Sequence, residues 1–321
     1  MIEGQEGVTW DDWVAVAETC ERSGVEALFR SDHYLSGTDE DRPVLDAWAT
    51  IAGLAARTTK LQLGTLVSPA TFRHPAVLAR NAATADEISN GRVTLGMGAG
   101  WMEREHNAYG FEFSTARERV ARLGEQLEIV HGLLRDDRVD FDGVYYELHD
   151  APGYKRPRLP LLVGGSAKPG TAEPAVRFAD EYNVLLGTSD DVRERTRRLD
   201  EACERAGRDP ATLRYSLMAP SVIGVDGEAV RASARRIGER FGRDTDQVLE
   251  RYAEMGPVGT VERAVERLHE IEELGIERVM LQHLVHTDLE TVELIGKELT
   301  PRMGKTDEPA EAGSSNGGSA A

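Results

Sequence analysis

Strand-like and helix-like patterns alternate along almost all of this 321-residue chain, and that alternation limits its fold more than any other feature. Short β-rich runs at 27–31, 60–67, 93–98, 161–164, 182–186, 213–225 and 277–282 read as strands. Residues 1–5 read as the end of one more. Helical patterns fall between them, at 10–22, 45–56, 75–90, 115–134, 172–179, 190–206, 228–241, 246–255, 260–274 and 289–299. Thr9 and Ser189 are placed as N-caps, Pro75 as a first helical residue, and Thr115 with Glu118 as a capping box. Eight strand signals separated by helices predict an α/β fold, a (β/α)8 TIM barrel with insertions after strands 4 and 7. A doubly wound sheet is the rival. Asp142-Gly143, between two β-rich pieces in 139–148, marks the first insertion as a hairpin. The organisation expected is one barrel domain over 1–305 and a disordered Gly/Ser/Ala-rich tail over 306–321.

Charge and cysteine content remove several classes. A net charge of −18 excludes a basic stripe for nucleic acid. No apolar run approaches the ~18 residues of a membrane span. The polar, acidic start shows no signal-peptide pattern, and the isolated Cys20 and Cys203 suit a reducing cytoplasm. His283 and His286 lack a third ligand nearby, so no metal site is expected.

The stretch at 93–110, VTLGMGAGWMEREHNAYG, begins as a strand and then breaks at Gly96, Gly98 and Gly100. Glycines at every second position let a flat ring or a phosphate approach bare backbone; a tightly packed barrel strand would need them equally. Chemistry in such barrels sits at the C-terminal strand ends. There the chain places Asp32-His33, Val67-Ser68, Gly98-Ala99-Gly100-Trp101, Gly164-Gly165-Ser166 and Gly187-Thr188. Asp32-His33 reads as a general acid/base pair or a clamp on a heterocycle, against a capping Asp beside a solvent-facing His. Gly164-Gly165-Ser166 before a helix reads as a phosphate cradle, against an ordinary βα turn. Arg73, Arg104, Lys155, Arg156, Arg158 and Lys168 are expected near the mouth, where they would attract an anionic ligand. His106 is expected at the surface or facing a dimer partner.

Four motifs together carry a family resemblance: LFRSDHY (28–34), LGTLVSPATFRHPAVLAR (63–80), RVTLGMGAGWMEREHNAYGF (92–111) and LLVGGSAKPGTAEPAVRFADEYNV (161–184). The chain resembles the bacterial luciferase-like monooxygenase superfamily, and within it the coenzyme F420-dependent oxidoreductases. The resemblance implies a TIM barrel with a flavin or deazaflavin at its C-terminal mouth. It implies Asp32 and His33 beside the ring and a cis peptide at Leu66-Val67 against the ring's face; His33 is the residue expected to handle protons there. It also implies Gly98, Ala99 and Gly100 along the ring and ribityl chain, and Gly165 and Ser166 at the cofactor phosphate. The family is commonly dimeric, so a cytoplasmic homodimer acting on a small molecule is expected.

Two departures bear on these expectations. The F420-dependent sugar-phosphate dehydrogenases carry an acid after the strand-4 glycines and a Trp soon after Asp-His; Trp101 and Gly37 stand there instead. Glu103 and Glu105 are nearby but not equivalent, so that sugar-phosphate reaction is not expected. The family's first strand is normally complete, whereas only residues 1–5 represent it here, so further residues are expected upstream. The function expected is hydride transfer between F420 and an organic substrate. An FMN-dependent monooxygenase and a non-catalytic flavin- or deazaflavin-binding protein are the alternatives. A Rossmann enzyme would need an acidic strand end ~20 residues after Gly96, and that window is helical.

Overall fold

The computed structural model describes residues 1–304, so the tail expected at 306–321 lies outside the described residues. The strands are β1 (Ala27–Arg30), β2 (Gln62–Thr65), β3 (Ser68–Pro69), β4 (Val93–Gly98), β5 (Arg138–Asp142), β6 (Glu147–Pro152), β7 (Leu161–Gly165), β8 (Glu181–Val184), β9 (Arg214–Pro220), β10 (Val222–Gly224), β11 (Val258–Thr260) and β12 (Arg278–Gln282). The helices are α1 (Trp10–Ser23), α2 (Ala47–Arg57), α3 (Pro75–Ser89), α4 (Glu103–Tyr109), α5 (Ala116–Arg135), α6 (Pro169–Phe178), α7 (Ser189–Ala206), α8 (Gly227–Phe241), α9 (Thr245–Ala253), α10 (Val261–Glu272) and α11 (Leu289–Leu294).

A parallel sheet runs β1-β2-β4-β7-β8-β9-β12, with β3 added beside β4. Its two ends meet across Met1 and Ile2. The Met1 amine donates to the Leu281 carbonyl at 2.9 Å, and Ile2 forms a parallel bridge with Arg30. The expected first strand is thus a two-residue stitch, and the barrel is seven strands plus this segment among the described residues. Strand alternation divides the core. Leu161 and Val163 face the helical layer with Trp13, Leu54, Leu78 and Val130, whereas Leu162 turns inward with Phe29, Leu66 and Met280. Each such buried Leu contributes about 1.5–3 kcal/mol relative to exposure.

The insertions fall where expected. β5 and β6 form an antiparallel hairpin outside the barrel sheet. The 213–225 run is two strands, because β9 ends at Pro220 and β10 leaves to pair with β11, which the sequence reading missed. β11 has only three residues, too few for a period-2 signal. With α8 and α9 this pair encloses its own small core of Val222, Val230, Ile237, Val248 and Tyr252. Capping boxes form at Thr9–Asp12 and Thr115–Glu118. The α7 cap is Thr188, not Ser189, because the Asp191 carboxylate accepts the Thr188 backbone N–H. The last helix ends earlier than expected, at Leu294, and passes into a π turn over Ile295–Leu299.

Candidate active site

β1 delivers Ser31, Asp32, His33 and Tyr34 to the C-terminal end of the barrel. Asp32 is 1% exposed. Its carboxylate accepts hydrogen bonds from Ser68 Oγ at 2.7 Å and from Arg73 Nη1 and Nη2 at 2.6 and 3.3 Å. Arg73 also donates to Asp46 Oδ2 at 2.7 Å and to the Tyr34 hydroxyl at 2.8 Å. Trp48 Nε1 donates to Ser68 Oγ at 3.1 Å from behind. The charges set one another's ionisation. Burial opposes the Arg73 charge and is the largest single influence, but Asp32, Tyr34 and Asp46 together outweigh it and raise the guanidinium pKa. Burial would raise Asp46, but the Ala49 N–H and Arg73 hold it low. Burial pushes the Tyr34 phenol up to about 12. Asp32 is therefore the anchor of a charged network reaching β1, the β2–β3 turn and α2.

His33 makes a different connection. Its Nδ1 lies 2.8 Å from Glu105 Oε1, while the Tyr34 backbone N–H donates to Glu105 Oε2 at 3.0 Å. Glu105 is fully buried. Burial works against the His33 charge, but the hydrogen bond and charge of Glu105, with the charges of Glu3 and Asp32, together outweigh it, so the imidazole pKa is raised. Trp101 packs edge-on against the His33 ring, with centroids 5.6 Å apart, and stays 69% exposed. Glu105, expected only to lie nearby, is thus the direct partner of His33. Helical spacing held the clue: Met102, Glu105 and His106 share one buried face of the turn that opens α4.

His106 is fully buried, contrary to the surface position expected. Its Nδ1 meets the Met102 carbonyl at 2.8 Å and its Nε2 meets Thr71 Oγ1 at 2.7 Å, among Phe72, Phe111 and Phe113. A seven-residue helix lying under the mouth turns two consecutive positions inward, which a surface-helix pattern does not anticipate.

The Leu66–Val67 peptide is cis. The Val67 side chain packs across two glycines: a Cβ on Gly98 would lie 2.5 Å from Val67 Cγ2, and one on Gly164 would lie 3.0 Å from Val67 Cγ1. Part of the glycine run therefore serves the tight strand packing that was the alternative reading. Gly100 turns with φ +80° beside Thr71. Just after the expected cradle, the Tyr182 hydroxyl on β8 accepts from the Ala167 N–H at 3.0 Å. The α6 N-terminus follows directly, capped by Lys168 without a side-chain bond.

Of the cations expected at the mouth, Lys155, Arg156 and Arg158 lie at the opposite end of the barrel, just before β7 and beside the C-terminal ends of α3 and α5, and Arg73 and Arg104 are spent. Arg73 holds Asp32 and Asp46; Arg104 meets the Ser36 carbonyl and Glu40; Lys155 and Arg156 pair with Asp137 and Glu87. Arg158 and Lys168 have no ion pair among the described residues. No cluster of metal ligands occurs among the described residues, and both cysteines are free and buried. His286 Nε2 lies 3.6 Å from Asp12.

Asp32 and Val67 are thus tied together through Ser68, and Val67 touches Gly98 and Gly164, two residues before Ser166. Val67, Ala99, Gly100, Gly164, Gly165 and Ser166 are all partly exposed, giving a wall of small residues beside His33 and Trp101. That wall fits a flat ring: it is apolar at Val67 and otherwise offers backbone.

Residues 2–278 match the family model described as luciferase-like monooxygenase. An F420-dependent glucose-6-phosphate dehydrogenase of Kineococcus radiotolerans is 31% identical over 283 residues, covering 85% of this chain and 78% of that protein. One of the same name from Amycolatopsis mediterranei is 39% identical over 178 residues, covering 55% of this chain and 54% of that protein. Among solved structures, the coenzyme F420-dependent tetrahydromethanopterin reductase from Methanopyrus kandleri superposes with a TM-score of 0.74 at 19% identity, covering 95% of this chain and 98% of that one. An F420-dependent secondary alcohol dehydrogenase in complex with an F420-acetone adduct gives 0.76 at 22% identity, covering 93% and 96%. These structural likenesses establish the TIM-barrel fold.

Proposed function

The chain belongs to the luciferase-like monooxygenase family, and we propose that within it this enzyme is an F420-dependent oxidoreductase moving a hydride between the deazaflavin and a small organic substrate. The observation that carries this reading is the partly exposed small-residue wall of Val67, Ala99, Gly100 and Gly164, continued by Trp101 against the His33 ring, in a chain whose long relatives bear F420-dependent names. Bound F420 would supply the hydride chemistry, and the protein supplies binding, orientation and proton handling. Leu66, Val67, Gly98, Ala99 and Gly100 would hold the ring and its chain. Gly165 and Ser166, with the α6 N-terminus behind them, would take the phosphate. Asp32, held by Arg73, fixes the β1 end, so that His33 stands ready to move a proton at a substrate oxygen. Trp101 occupies the position where an acid was expected in the sugar-phosphate dehydrogenases, so the substrate stays a small organic molecule of unspecified class.

Titrating the purified protein with F420 and, separately, with FMN tests this by fluorescence quenching. Saturable quenching of F420 is expected. Tight FMN binding with no F420 response would overturn the reading in favour of a flavin monooxygenase.

We also read the enzyme as a cytoplasmic homodimer. Two free buried thiols support a reducing compartment, and among the described residues no helix is long and apolar enough to cross a membrane. Val77 and Ile88 leave apolar surface exposed on α3, which would suit a partner protomer. Light scattering on a sizing column would separate a dimer from a monomer.

A further inference from the structure

We infer that Glu105 is a positioning residue that fixes His33 in its Nδ1–H tautomer and leaves Nε2 as the nitrogen offered at the barrel mouth. The inference deepens the proton-handling role given to His33 and rests on it. The Glu105 side chain is fully buried, and a buried carboxylate persists only when donors satisfy it. Both of its oxygens are used. The Tyr34 backbone N–H can only donate, so it claims Oε2 at 3.0 Å. An ionised carboxylate accepts and does not donate, so the 2.8 Å contact of Oε1 requires the proton on His33 Nδ1. The imidazole then has Nε2 as its remaining acceptor, and Nε2 makes no hydrogen bond among the described residues. Trp101 holds the ring from another side, at an interplanar angle of 79°.

This arrangement orients His33 and readies it for a proton. A proton arriving at Nε2 makes an imidazolium whose charge Glu105 faces directly. The other charged groups acting on the ring are Glu3 and Asp32, both carboxylates, and they favour the same charged form. Glu105 touches no reacting atom in this scheme. It acts through His33, and its backbone bond at Tyr34 ties the ring orientation to the β1 end.

Nitrogen NMR of histidine-labelled, cofactor-free protein tests the inference. The wild-type His33 ring should be in the Nδ1–H form when neutral and should titrate above the ordinary histidine value. In Glu105→Gln the single amide oxygen stays on the Tyr34 N–H, and the amide NH₂ turns to His33. Nδ1 must then accept, so the ring should switch to the Nε2–H form and its pKa should fall. Glu105→Asp should restore the wild-type tautomer at least in part. A wild-type ring in the Nε2–H form overturns the inference without any variant, and so does a Gln variant with unchanged nitrogen shifts. F420 titration of the same samples keeps the two readings apart. Quenching is expected to match in wild type and Glu105→Gln. Wild type that fails to quench F420 would overturn the cofactor reading and leave the tautomer result standing. In turnover, Glu105→Gln should lower kcat with KM for F420 unchanged, by no more than the ~10²–10⁴-fold of a general acid–base group.

Discussion

Arg73 grips Asp32 across 41 residues of chain, with guanidinium-to-carboxylate distances of 2.6 and 3.3 Å and side chains 9% and 1% exposed. Removing one partner of a buried ion pair strands the other charge. Arg73→Ala should therefore cost about 3–5 kcal/mol of stability in urea or guanidinium denaturation. Arg73→Lys keeps the charge but loses the two-pronged contact, and should fall between the two. An Ala variant as stable as wild type would show that Asp32 does not depend on this pair.

Gly98 and Val67 are coupled by space. Gly98→Ala places a methyl 2.5 Å from Val67 Cγ2, so overpacking of about 1–3 kcal/mol is expected. Val67→Ala in the same chain opens the room, and the double variant should recover part of the Gly98→Ala loss. The check is a double-mutant cycle on unfolding free energies; simple additivity would remove the coupling.

His283 gives the fold a pH dependence. Burial, with the N-terminal amine and His286 nearby, lowers its pKa to about 4, against the opposing charge of Asp288. The folded state therefore binds fewer protons than the unfolded state between pH 6.5 and about 4. Stability from this group is complete above pH 6.5 and is lost as pH falls through that window, by about 3 kcal/mol in all. His283→Gln, which cannot titrate, should show a shallower acid limb. Denaturant midpoints at pH 7 and pH 4.5, compared between the two proteins, measure the difference; identical slopes would refute it.

Trp101 is largely exposed, packed edge-on against the His33 ring. Trp101→Ala should change stability by less than about 0.5 kcal/mol. If the exposed indole forms part of the ligand wall, F420 affinity should weaken by about 0.5–1.5 kcal/mol, the worth of one aromatic contact. Calorimetric titration of both proteins reads this directly, and unchanged affinity would place Trp101 outside the cofactor site.

Much of the architecture was legible in the residues themselves. Period-2 and period-3.6 patterns located the helices and barrel strands, because local burial forces one face of each element to be apolar. Thr115 with Glu118, and Asp142-Gly143, were read correctly because a cap and a tight hairpin depend on residues close in the chain. β11 and the Thr188 cap were not, since three residues carry no period and neighbouring Thr188 and Ser189 are both good caps.

The site divides along the same line. Asp32, His33, Val67, Gly98 and Ser166 stood out because strand ends in a parallel barrel share one face, and their residue types are unusual there. The sequence by itself thus determined the barrel, its insertions and the small-residue strand ends. Only the tertiary structure decided that Arg73 serves Asp32, that His106 is buried, and that Glu105 meets His33 from 72 residues away. Those pairings depend on which side chains the closed ring brings within 3 Å of each other, and distance in space is not written in distance along the chain.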